Sequence, residues 1–183
     1  MLELNFTPFP ELQTSRLLLR KMTLADAGEI LIMRRNEDVM KFIDRKRMDT
    51  LAEADEWIKI IIEALINNTG ITWAISLRDA PERLIGSIGY WRIFNEHFRA
   101  EIGYMLNPDY WQKGIMKEAL NLLIKFGFEN MGLHSIEANI NPGNIASEKL
   151  LISTGFSKEA YFKENYFYNG LFKDTIIYSM LKK

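Results

Sequence analysis

The sequence predicts an α+β domain organised around one sheet. Extended apolar segments and segments with apolar residues at helical spacing alternate along the chain. Their order is strand, two helices, three strands, then helix, strand, helix and closing strands. With 183 residues the chain is long enough to bury a core without disulfides or metals as staples. No repeat, low-complexity tract or linker divides it, so one domain is expected over residues 1–183.

The elements follow in order. Residues 1–14 contain two prolines and no periodicity, and they read as a loosely packed leader. Arg16-Leu-Leu-Leu-Arg20 is a short buried strand. Thr23 opens a helix with Asp26 in its first turn, where an acid suits the dipole, and Leu24, Ala27, Ile30 and Leu31 recur at helical spacing. A second helix starts near Thr50, with Leu51, Ala54, Ile58, Ile61, Ile62 and Leu65 on one face, and Asn67–Gly70 ends it. Ile71–Leu77, Leu84–Phe94 and Arg99–Leu106 read as an antiparallel meander. A helix over 112–130 buries Met116, Ala119, Leu120, Leu123 and Phe126. His134–Ile140 is a strand, and Asn141–Asn144 turns into a helix that ends near Thr154. The chain becomes extended again at Gly155-Phe156, and Thr175–Leu181 is the last strand.

Composition narrows the chemistry. Lys plus Arg number 23 against 24 Asp plus Glu, a net charge of −1, which argues against a broad nucleic-acid-binding surface. There is no cysteine, so disulfides, thiolate metal sites and a cysteine nucleophile are excluded together. The two histidines, His97 and His134, are far apart in sequence, and no metal site is expected. The first ten residues lack a basic region followed by an apolar stretch. The longest greasy segment, Trp57–Ile66, is broken by Lys59 and Glu63. No membrane association and a cytoplasmic location are expected.

The informative stretch is Glu101-Ile-Gly-Tyr-Met-Leu-Asn-Pro-Asp-Tyr-Trp-Gln-Lys-Gly-Ile-Met. A strand passes through a proline turn into a glycine-bearing loop and then directly into a helix. Such a junction offers free backbone N–H groups at the positive end of a helix dipole and suits a phosphate or pyrophosphate. One glycine at such a junction also serves ordinary turns, and the loop matches neither the P-loop nor the dinucleotide fingerprint.

On these residues the chain resembles the GNAT superfamily of N-acetyltransferases, in particular its ribosomal-protein-alanine (RimJ/RimL-like) branch. Six motifs carry the resemblance in order: Thr14–Arg20, Ile85–Gly89, Ala100–Tyr104, Asn141–Ser147, Leu150–Phe156 and Tyr168–Asp174. The resemblance implies a three-layer domain, a mixed and mostly antiparallel sheet flanked by helices. It implies acetyl-CoA as cosubstrate and direct acetyl transfer to a primary amine. A protein N-terminal amine is the leading acceptor. A small amine such as a polyamine, amino sugar or antibiotic is the alternative, as is a CoA-binding module without strong catalysis. Homodimers are common in this branch.

The resemblance also assigns residues. Gln112, Lys113, Gly114, Ile115 and Met116 would face the pyrophosphate through main-chain N–H groups. Trp111 and Met116 depart from the family's usual Arg/Gln and Gly/Ala in that loop. Lys113 either adds a charge-assisted contact or is a solvated lysine. Met105 and Leu106 would pair with the pantetheine arm where their strand splays from the strand over 134–140. Glu101 is the candidate base or, equally, a strand glutamate paired with Arg92 or Arg99. Many relatives place a tyrosine acid where this chain has Leu151. Ser147 would hydrogen-bond the CoA sulfur and Asn144 would contact pantetheine, unless both only cap their helix. Tyr161, Tyr166 and Tyr168 are alternative acids. Trp57, Trp73, Tyr90, Trp91 and Phe94 are candidate acceptor-pocket residues, with Glu96 and His97 in a nearby loop.

Overall fold

The computed structural model describes residues 1–183. Its strands are β1 (Leu12–Gln13), β2 (Leu17–Lys21), β3 (Ile71–Leu77), β4 (Gly86–Phe94), β5 (Arg99–Leu106), β6 (Ser135–Ile140), β7 (Ser157–Tyr168) and β8 (Leu171–Leu181). Its helices are α1 (Ala27–Arg35), α2 (Glu37–Met40), α3 (Leu51–Ile66), α4 (Ile115–Glu129) and α5 (Ile145–Ser153). The strands form one eight-stranded sheet in the order β1-β2-β3-β4-β5-β6-β8-β7. Every neighbouring pair is antiparallel except β5 and β6, which are parallel. The mixed, mostly antiparallel sheet is therefore as expected.

Two cores make three layers. Strand residues alternate between faces, so Ala100, Ile102 and Leu106 of β5 join Ile136, Ala138 and Ile140 of β6 on one face. There α4 lays down Ile115, Met116, Ala119, Leu120, Leu123 and Phe126. Full burial of such a side chain contributes about 1.5–3 kcal/mol. On the other face Ala74, Leu84 and Met105 meet Ile30 and Met33 of α1 and Ala54 and Ile58 of α3. The cap of α3 is a reciprocal box: Thr50 Oγ1 accepts from Glu53 N, and Glu53 Oε2 accepts from Thr50 N at 3.1 Å.

Three expectations are corrected. Residues 1–14 are not loosely packed: Leu2 and Phe6 are buried, Phe6 N donates to Asn68 Oδ1, and Pro10 O receives the Trp73 indole N–H at 2.7 Å. Prolines forbid a helix there, but they do not prevent an extended chain from burying Leu2, Phe6 and Phe9 against the sheet. The helix predicted over 112–130 begins at Ile115, because Gln112 and Gly114 take left-handed backbone (φ 58° and 74°). Leu51, placed on the apolar face of its helix, is exposed: it opens the first turn, and the burial of α3 rests on Ala54 and Ile58.

Candidate functional site

The site begins where β5 ends. Asn107 N donates to Ile85 O, and Asn107 Oδ1 accepts from Asp109 N, so the proline turn is held against β4. The Trp111 indole N–H donates to Leu106 O at 2.8 Å, tying the loop to the strand it leaves. Trp111 is thus a fastener, which accounts for a non-polar residue at that position. The N–H groups of Gln112, Lys113, Gly114, Ile115 and Met116 donate to no protein acceptor. Gly114 caps α4 without a side chain, so these donors converge at the positive end of a helix. The side chains of Ile115 and Met116 point into the core, which leaves their main chain facing the loop. Arg16 reaches the same place: it donates to Lys113 O at 3.3 Å and is held by Glu118 at 2.5 Å. Burial raises the Glu118 pKa, but hydrogen bonds from Thr14 and Arg16 outweigh it and leave the carboxyl below its ordinary value. Lys113 Nζ stands 5.5 Å from the centroid of the Tyr110 ring.

Next to this loop the sheet opens. β5 pairs with β6 only from Arg99↔Ser135 to Glu101↔Glu137. Beyond it, Ile102–Leu106 pair with β4 alone, while β6 continues along β8 to Ile140. Met105 and Leu106 therefore lie on a strand whose second edge is free of sheet bonds, which is the splay expected. A free edge is what an amide-bearing chain can pair with.

Across the opening two hydroxyls meet. Tyr104 Oη and Ser147 Oγ are 2.6 Å apart. Tyr104 belongs to the face of Ile102 and Leu106. Ser147 is positioned by the start of α5, where its N–H donates to Asn144 Oδ1 at 3.2 Å. Asn144 is a helix cap, with its amide nitrogen left over for other partners. Burial pushes the Tyr104 phenol up to about 12, with the Ser147 hydrogen bond pulling weakly the other way. The phenol is therefore a firm proton holder at neutral pH. Leu151 is fully buried in the core and offers no hydroxyl at that position. Sequence reasoning missed Tyr104 as a site residue. Its one signal is strand alternation, which puts it on the α4 face at the end of β5, but the partner lies 43 residues away.

Glu101 lies on the opposite face, at the last rung before the split. It is only 5% exposed, and Arg92 contacts its Oε2 at 3.3 Å. Burial pushes its carboxyl up. Arg92 and the Asn139 side chain pull it down, Glu137 pushes it up, and the net shift is upward. Arg99 is not its partner: it pairs with Glu137 at 2.9 Å. Asn139 Oδ1 is buried without a donor.

The remaining candidates separate. Tyr166 donates to Asp44 and to Asn141 Oδ1, and burial followed by the Asp44 hydrogen bond pushes its pKa far up. Tyr161 is exposed and bonded to Asp174. Tyr168 lies by the β7–β8 turn, in the wall of a cavity beside Asp44. None of the three hydrogen-bonds Ser147. Trp73 and Tyr90 cannot line an acceptor pocket, because both are fully buried under α4, with Tyr90 Oη donating to Leu123 O at 2.6 Å. Trp91 is half-exposed beneath Arg92, and Trp57 lies beside Arg34. Phe94 stacks with Arg99. Glu96 and His97 are exposed before Arg99, at the end of β5 remote from Tyr104.

Residues 16–157, most of the chain, match the family model described as an acetyltransferase (GNAT) domain. The chain belongs to the GNAT acetyltransferase family. Its relatives include the uncharacterized N-acetyltransferase YoaA of Bacillus subtilis (strain 168), 36% identical over 95% of this chain and 98% of that protein. The ribosomal protein uS5-alanine N-acetyltransferase of Escherichia coli (strain K12) is 31% identical over 59% of this chain and 57% of its own. Among solved structures, a GNAT-family acetyltransferase from Bacillus anthracis superposes with a TM-score of 0.82 at 28% identity, covering 94% of this chain and 98% of that one. This GNAT chain is accordingly an N-acetyltransferase that takes acetyl-CoA as cosubstrate. Its donor set suits that molecule: free N–H groups for a pyrophosphate, an open strand edge for amides, and hydroxyls for a sulfur. No helix is long and apolar enough to cross a membrane.

Proposed function

We propose that this GNAT enzyme acetylates the N-terminal amine of a protein, with Tyr104 and Ser147 at the leaving sulfur and Glu101 as the base. The observation that carries the reading is the hydroxyl pair bridging the β5–β6 opening, directly beyond the loop of unpartnered N–H groups. Bound acetyl-CoA supplies a thioester whose acyl carbon an amine attacks, with a thiolate as leaving group.

The chain's residues then divide the work. Gln112, Lys113, Gly114, Ile115 and Met116 hold the pyrophosphate through N–H groups, and Lys113 adds charge. The free edge at Met105 and Leu106 receives pantetheine amides, and Asn144 turns its spare amide nitrogen to the same arm. Ser147 donates a hydrogen bond toward the sulfur, and Tyr104 behind it supplies the proton. The phenol, pushed up to about 12 by burial, is protonated at neutral pH and so has a hydrogen to offer, through Ser147, to the developing thiolate. Glu101 takes the ammonium proton from the other side of the opening, directly or through one water. An α-ammonium has a pKa of about 7.7–8.0 against about 10.4 for lysine. Burial raises the Glu101 carboxyl and makes it a stronger base, and the α-ammonium is the easier of the two protons to remove. The similarity to the uS5-alanine enzyme supports the same acceptor class.

The test is twofold. Thermal unfolding is followed with acetyl-CoA, CoA and NAD. At about 100 times Kd a native-state ligand adds roughly 2.7 kcal/mol, an upshift of roughly 5–10 °C for a domain of this size. Both CoA species are expected to produce it and NAD to produce none. Thiol release is then measured with alanine-initiated peptides and with spermidine. Faster turnover of spermidine than of every peptide overturns the N-terminal reading. Binding without turnover of any amine makes the chain a CoA-binding module.

A further inference from the structure

The connection from α2 to α3 and the β7–β8 turn line an open surface cavity of about 570 Å³. Its wall carries Lys41, Arg45, Lys46, Arg47 and Lys173 against one acid, Asp44. That acid is already engaged by Asn141 and Tyr166. Lys46 and Arg47 have carboxylate partners in Glu53 and Glu37. Lys41, Arg45 and Lys173 have none. Underneath, Arg34 of α1 is only 7% exposed, contacts Lys46 O, and has a buried Nε without any partner. Burial and repulsion from Arg45 both oppose its charge. A chain of net charge −1 thus gathers unneutralised cations around one cavity, an arrangement that an anion would relieve.

The cavity is joined to the site. Asp44 is bonded to Asn141, which follows the end of β6 and precedes the cap of α5. Arg45 stands over the Trp91 ring at 6.0 Å, Arg92 covers the same ring at 4.4 Å, and Arg92 reaches Glu101. An acceptor lodged among these cations lies on the side where Glu101 would receive its amine.

We infer that this basic cavity selects acceptors carrying negative charge beside the amine, namely acidic N-terminal peptides. The inference rests on the N-terminal reading above. The cations come from two separate chain segments and line a broad cavity, which suits an extended acidic segment better than a single small anion.

The experiment compares three alanine-initiated peptides whose second and third residues are acidic, neutral amides or lysines, with spermidine alongside. The acidic peptide is expected to show kcat/KM at least tenfold above the neutral one, mostly through KM, with the ratio shrinking as salt rises. Arg45→Gln combined with Lys173→Gln should bring the ratio close to one while acetyl-CoA still raises the Tm, which verifies that the variant is folded. Equal use of all three peptides overturns the charge selection and leaves the N-terminal reading standing. Turnover of spermidine with none of any peptide overturns both. A ratio that survives the double substitution removes this cavity as its source.

Discussion

Tyr104 and Ser147 define the residue scale, because each has an ordinary structural reason to exist and only their contact is informative. Tyr104→Phe removes one hydroxyl without changing the packing of the ring. A proton donor lost at the leaving group is expected to lower kcat by about 10²-fold or more, with the KM for acetyl-CoA little changed. Ser147→Ala should likewise lower turnover by more than it weakens acetyl-CoA binding. Steady-state kinetics with a binding measurement on each variant check both. If Ser147→Ala leaves both parameters unchanged, that hydroxyl serves only the helix start. Glu101 makes a pH prediction. Its carboxyl is raised by burial, and a base works only when deprotonated, so kcat/KM should climb as pH rises through a value above 4.5. Glu101→Gln should erase that limb of the pH–rate profile. An unchanged limb in the variant would assign it to another group.

At the scale of elements, the strand–loop–helix from β5 to α4 is the unit that matters. Its register was legible in part: the proline turn, the glycine and the following apolar stripe all stand in the sequence. The helix start was not, because Gln112 takes a left-handed conformation that carries no compositional signal. Gly114→Glu places a negative side chain at the converging N–H groups, at a φ of 74° that L residues rarely adopt. Room exists for the new Cβ, whose nearest neighbour would be Arg16 at 3.8 Å, so the variant should fold at some cost in stability. It should lose the thermal upshift with acetyl-CoA. A folded variant with unaltered acetyl-CoA affinity would remove the loop from the site. The splay of β5 from β6 was expected only by resemblance. Nothing in Ile102–Leu106 differs from an ordinary buried strand, and the pairing ends through three-dimensional divergence that no local pattern encodes.

Over the whole molecule, the N-terminal segment shows how tertiary contacts override local reading. Leu2, Phe6 and Phe9 have no helical or strand period, yet they close the α4-face core beside Trp73 and Met131. Phe6→Ala should therefore destabilise by about 3–5 kcal/mol, the range for a buried phenylalanine. Chemical denaturation of the variant measures it, and a change under 1 kcal/mol would mean that the segment packs as loosely as its composition suggests.

The features legible along the chain follow from short-range physics. Apolar period, caps, turn residues and the glycine loop are local properties, and they specify the element order, the α+β class and the anion-suited junction. The ordered motifs added the family and its cosubstrate. Tertiary structure alone decided which side chains meet. It set Tyr104 against Ser147, gave Glu101 to Arg92 and Arg99 to Glu137, buried the leader, and ringed one cavity with cations from segments more than a hundred residues apart. Those outcomes depend on sheet order and on where a parallel pair comes apart, and both are set by packing of distant surfaces.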